Sequence, residues 1–96
     1  MIKHIVFMKF KAGVTDKDVA VIEKGLAGLP GKIPEIKEYQ FGRDIVRSER
    51  SCDFALVSAF DDMEALKRYQ VHPDHLPVIA KVKEFSESIL AVDFTF

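Results

Sequence analysis

Apolar residues in this chain recur first with the period of a strand and then with that of a helix. The succession of those periods limits the folds open to it more than any other feature. "IKHIVFMKFK" has β-branched and aromatic residues at strand density, which predicts a first strand over 2–11. Alternation puts His4, Val6, Met8 and Phe10 on one face and Ile5, Phe7 and Lys9 on the other. After a turn at Ala12-Gly13, Thr15 stands three residues before Asp18, a capping-box pattern that opens a helix. Val19, Ile22, Leu26 and Leu29 give that helix one apolar stripe, and Gly28, Pro30, Gly31 and Pro34 end it.

"EIKEYQFGR", 35–43, alternates as a second strand, and the apolar "DFALVSAF", 53–60, is the third. Between them "DIVRSERS" reads as a solvated, mobile hairpin loop rather than a lid; Gly42 and Arg43 end the second strand. Asp61 with Glu64 repeats the cap pattern, and Met63, Leu66 and Tyr69 mark a short second helix. Pro73 ends that helix or begins another, in which Val78, Ile79, Val82 and Phe85 form the stripe. "ESILAVDFTF" is a fourth strand. The order is β-α-β-β-α-β with a broken second helix, which predicts an α+β, ferredoxin-like domain: one four-stranded antiparallel sheet with helices on one face. Residues 1–96 read as a single domain.

A sheet covered by helices on one face should be polar on the other. Here Ile5 and Phe7, then Ala55, Val57 and Ala59, then most of "ILAVDFTF", leave apolar side chains on both faces. Such a face needs a cover, and the simplest is the same face of a second copy, giving a two-fold barrel with helices outside. The alternative is a monomer that leaves the apolar sheet bare.

Composition narrows the function. The formal net charge is -1 and the charges are scattered, so no basic face predicts nucleic-acid binding. The one cysteine, Cys52, reads as a small residue at a strand start and fits a reducing compartment. Lys3, His4 and Lys9 interrupt the N-terminal apolar run against a signal peptide, and no segment has the roughly 20 apolar residues of a membrane span. The expectation is a soluble cytoplasmic protein.

The block "YQVHPDHLPV" holds two of the three histidines, His72 and His75, around Pro73. With Pro73 at the first helical position, His72 is the cap and His75 lies in the first turn, in line with Ile79 and Val82. If the His4 face of the first strand faces the helices, His4, His75 and Tyr69 can share one space. Three chemistries compete. Metal binding has the histidines but no supporting Cys or carboxylate, since Asp74 points elsewhere. Acid–base chemistry suits a histidine at a helix N-terminus, where the macrodipole and burial both disfavour imidazolium. A purely structural histidine at a helix junction is the third.

"IKHIVFMKFK", "IPEIKEYQFGRD" and "YQVHPDH" together resemble the stress-responsive dimeric α/β-barrel (Dabb) family, over nearly the whole chain from His4 to Phe94. The resemblance implies a ferredoxin-like subunit that pairs sheet to sheet into a homodimer. The family includes a plant polyketide cyclase that closes rings by aldol-type chemistry without a cofactor. In it the second histidine of His-Pro-x-His is the base and the upstream tyrosine assists. Residue by residue, this implies His75 as base, Tyr69 as hydrogen-bond donor, and His4 and His72 as substrate-contacting pocket residues. Phe54 and Leu26 stand where that cyclase has a histidine and a pocket tyrosine, which implies a less polar pocket here.

The expected function is therefore cofactor-independent acid–base chemistry on a small carbonyl or aromatic, polyketide-like compound. No cofactor and no metal is expected: the chain has no cluster to clamp haem propionates and no phosphate loop for flavin. The alternative, of another class, is a non-catalytic stress-associated dimer that binds an apolar ligand.

Overall fold

β1 (Ile2–Phe10) forms the middle of the molecule because it is hydrogen-bonded on both sides, to β3 (Phe54–Phe60) and to β4 (Ser86–Thr95), antiparallel in each case. β2 (Glu38–Arg43) pairs outside β3, giving the sheet order β2-β3-β1-β4. The computed structural model describes residues 1–96. Its helices are α1 (Asp16–Ala27), α2 (Met63–Gln70) and α3 (Leu76–Phe85), so the fold is the expected ferredoxin-like one.

The capping box forms as read: Thr15 Oγ1 accepts from the Asp18 amide, and the Asp18 carboxylate accepts from the Thr15 amide. Gly13 makes the preceding turn at φ +88°, a conformation open to glycine and strained for side chains with a Cβ. Val19, Ile22 and Leu26 are buried from α1, and Leu29 and Ile33 are buried just beyond it. α1 and α3 approach closely at Gly25, where a Cβ would lie 3.2 Å from Val78 Cγ2.

The ends of β1, β3 and β4 differ from the sequence reading by a single residue, and three further boundaries differ where a hydrogen bond placed them. β2 starts at Glu38: Glu35 lies before it and accepts from Arg68 Nε (3.0 Å), and the Lys37 amide reaches the Ala59 carbonyl. The cap of α2 is Asp62, whose carboxylate accepts from the Ala65 amide at 2.9 Å, and not Asp61. Ala65 rather than Met63 then joins Leu66 and Tyr69 on the buried side. α3 begins at Leu76 with His75 as its cap residue. Pro73 stands in a turn closed by the His75 amide on the His72 carbonyl, and Pro77 takes the early helical position.

The register fixes the two faces of the sheet. Ile2, His4, Val6 and Met8 share the inner face with Phe54, Leu56, Ser58 and Phe60, and the helices cover them. Ile5 pairs with Val57 and Val92, and Phe7 with Ala55 and Leu90, so the outer face carries a continuous apolar strip. Leu90 and Val92 are 61% and 52% exposed on it, far from the near-complete burial of the inner-face residues of β1 and β3.

The 44–53 connection is tied at its base. The Asp53 carboxylate accepts from the Phe10 amide (2.7 Å) and from Arg47 (2.7 Å), and Arg47 also bonds the Cys52 carbonyl. The amide of Phe10 holds the Asp53 carboxyl below its ordinary value, with Arg47 adding to the effect. No helix is long and apolar enough to cross a membrane.

Candidate functional site

Strand alternation delivers His4 to the inner face, and the last turn of α2 delivers Tyr69 to the same layer. The α2–α3 junction adds His75. The three line one cavity of about 360 Å³ between the inner face of β1 and β4 and the helices α2 and α3. That is at the small end of the range for ligand sites. Val6, Met8, Leu26, Leu56, Ile79, Val82, Ile89 and Ala91 make most of the remaining wall apolar. The departures noted from the sequence enter here: Leu26 is in the wall, and Phe54 is buried in the core, stacked on Phe41.

His75 is buried, and its Nδ1 lies 3.1 Å from the Gln70 carbonyl. A carbonyl can only accept, so Nδ1 carries the hydrogen and Nε2 keeps its lone pair. Burial pushes the His75 pKa below its ordinary value. The Gln70 carbonyl opposes that shift, while His4 and His72 reinforce it. The result is a neutral imidazole, the form a general base requires.

His4 Nδ1 is bonded to the Asp93 carboxylate, directly across the β1–β4 register. Asp93 therefore fixes the His4 ring and favours its Nδ1–H tautomer. Tyr69 is packed against His75 with ring centroids 4.3 Å apart and against Phe60 at 4.8 Å. Its hydroxyl is bonded to the Tyr39 hydroxyl at 2.8 Å rather than to an imidazole. Burial raises both phenols above their ordinary value; proximity of the two hydroxyls raises Tyr39 further, while the hydrogen bond from Tyr39 tempers the shift of Tyr69.

His72 is placed elsewhere. It is not in the cavity wall, and its Nδ1 accepts from the Asp74 amide at 3.0 Å, which leaves the proton on Nε2. Its neutral tautomer is thus the opposite of that of His75. No group of three or more His, Cys, Asp or Glu side chains converges as a ligand set for a metal ion.

Three contributors escaped the sequence reading. Asp93 is the one charge inside "ILAVDFTF", and its alternation with Ile89 and Ala91 was the available signal. Tyr39 shares a face with Phe41, but nothing local shows that it meets α2. Gln70 acts through its backbone, which no side-chain pattern reveals.

This architecture and this pocket define a ferredoxin-like α/β barrel subunit. The family model for the stress responsive A/B barrel domain, Dabb, matches residues 2–96, and the chain belongs to that family. It is 34% identical to an uncharacterised protein of Streptomyces coelicolor, over the full length of both chains. It is 25% identical to olivetolic acid cyclase of Cannabis sativa, covering 98% of this chain and 95% of the cyclase. Among solved structures, a dimeric ferredoxin-like protein of unknown function from Thermobifida fusca superposes with a TM-score of 0.91. It shares 34% identity, over 99% of this chain and 90% of that one.

Proposed function

We propose that this chain forms a homodimer through its outer sheet face. In each subunit the cavity would carry cofactor-independent acid–base chemistry on a small carbonyl or aromatic, polyketide-like compound. The observation that carries the chemistry is His75: buried in the cavity wall, pinned through Nδ1–H to the Gln70 carbonyl, and left with a basic Nε2. His75 removes a proton from carbon next to a carbonyl. Tyr69 donates to the developing oxyanion when Tyr39 serves as donor to Tyr69, which frees the Tyr69 hydrogen. His4, held by Asp93, orients the substrate from the strand side. The resemblance to a polyketide cyclase supports the reaction class, and the apolar wall at Leu26 supports a less polar substrate.

The dimer rests on the apolar strip of Ile5, Phe7, Val57, Leu90 and Val92, and on relatives of this fold described as dimeric. A second reading, a non-catalytic dimer binding an apolar ligand, is favoured by one observation: the Tyr69 hydroxyl is engaged by Tyr39 and not by His75.

The two readings separate on one assay. Linear poly-β-carbonyl compounds and aromatic aldehydes are incubated with the parent, His75→Gln and Tyr69→Phe, and products are followed by mass spectrometry. Acid–base chemistry predicts loss of turnover by about a hundredfold or more in His75→Gln. Equal turnover in that variant, or none in the parent with ligand binding intact, leaves the binding reading.

A further inference from the structure

The two ends of the cavity differ in charge. His75 caps α3 at one end, and Lys83 lines the wall near the other end of that helix. Eight residues separate them, which is about 12 Å along a helix axis. β1 gives the same length independently: from His4 to Met8 is four residues, or about 13 Å of strand. The elements run alongside each other. The Phe85 carbonyl, at the end of α3, accepts from the Lys11 amide just beyond β1, and Met8 pairs with Ile89. Lys83 therefore lies toward the Met8–Ile89 end and the histidines toward the other.

Between these ends the wall is hydrocarbon, from Val6, Met8, Ile79, Val82 and Ile89. No aspartate or glutamate lines the cavity, and Lys83, itself exposed to solvent, is the one lysine or arginine among its lining residues. Its helix neighbours Lys81 and Glu84 pair with each other at 3.6 Å, and Lys83 takes part in no ion pair. The histidine end is the wrong place for an anion, because the Asp93 carboxylate stands behind His4.

We infer that the cavity takes an elongated monoanion, with its carboxylate at Lys83, an apolar body along α3 and β1, and its far end at His75. The inference rests on the cavity proposed above as the ligand site, and it names the class of compound that fits. A helix-terminal lysine also complements the macrodipole, and that role alone makes no distinction between ligands.

The test is binding to the full chain, so it does not depend on turnover. Octanoate and octanamide, matched in shape and differing in charge, are titrated by NMR into the parent, Lys83→Met and, as a control off the cavity, Lys81→Met. The parent and Lys81→Met are expected to prefer octanoate by about fivefold, the size of a partly exposed ion pair. Lys83→Met is expected to lose that preference and keep its affinity for octanamide. Butyrate, too short to cover the wall, is expected to bind more weakly than octanoate. Equal affinity for the two octanoyl compounds in the parent, a preference that survives Lys83→Met, or no binding of either compound overturns the inference. Retained preference without any His75-dependent turnover overturns the catalytic reading alone.

Discussion

Tyr69 and His75 lie ring against ring, with centroids 4.3 Å apart, yet the tyrosine hydroxyl bonds to Tyr39 and the imidazole Nδ1 to the Gln70 carbonyl. The two side chains are coupled by packing and by a shared cavity, not by a hydrogen bond between them. Each is held from behind by a partner outside the pair. Such anchoring limits how far either ring can swing and presets its geometry toward a ligand.

The phenol pair should behave as one unit. Tyr39→Phe leaves the Tyr69 hydroxyl buried without its partner and is expected to cost about 1 kcal/mol in urea unfolding. Tyr69→Phe should cost a similar amount. In the double variant the loss should fall below the sum of the two, because both hydroxyls are gone together. Strict additivity would mean that the 2.8 Å contact contributes nothing.

The lowered pKa of His75 links stability to pH. The folded chain resists a proton that the unfolded chain accepts near the ordinary value of 6.5. Below that pH the unfolded state therefore binds more protons, and stability falls as pH drops, until the folded pKa is reached and the curve flattens. Above about 6.5, where neither state is protonated, the group contributes no pH dependence. His75→Gln should flatten the acid side of the curve relative to the parent, measured at fixed protein concentration so that association does not intervene. Parallel curves would remove His75 from the account.

The outer face should set the assembly state. Val92→Asp places a charge in the middle of the apolar strip, beside Ile5, without touching the inner core. Light scattering should show the parent at twice the chain mass and the variant shifted to the single chain, with its circular dichroism retained. A parent that runs as a monomer would remove the proposed interface.

The legibility of this fold follows from which interactions are local. Strand and helix periods, the Thr15–Asp18 box and the breakers after Leu26 act within a few residues, and all of them appear in the structure. Of the element ends that shifted, Glu38 is decided by a partner elsewhere, the Ala59 carbonyl that receives Lys37, whereas Asp62 and Leu76 are set by hydrogen bonds within three residues, at the Ala65 amide and the His72 carbonyl, which periodicity alone does not rank. The site divides the same way. His4, Tyr69 and His75 were readable because periodicity points them inward. Asp93 and Tyr39 become visible only when β4 is set against β1 and β2 is brought under α2. His72 shows the limit of motif spacing: it is three residues from His75, yet its ring turns to the Asp74 amide and away from the cavity wall.

The most direct test of the central claim, a neutral His75 presenting Nε2 to the cavity, is a long-range nitrogen–proton NMR titration of the histidine rings. It reads the tautomer and the pKa of each ring together. The account predicts for His75 the Nδ1–H tautomer and a pKa below 6.5, with His72 showing the Nε2–H tautomer in its neutral form. An Nε2–H tautomer at His75 would contradict it, because Nε2 would then have no lone pair to offer, and so would a pKa at or above 6.5, because burial would then not favour the neutral ring.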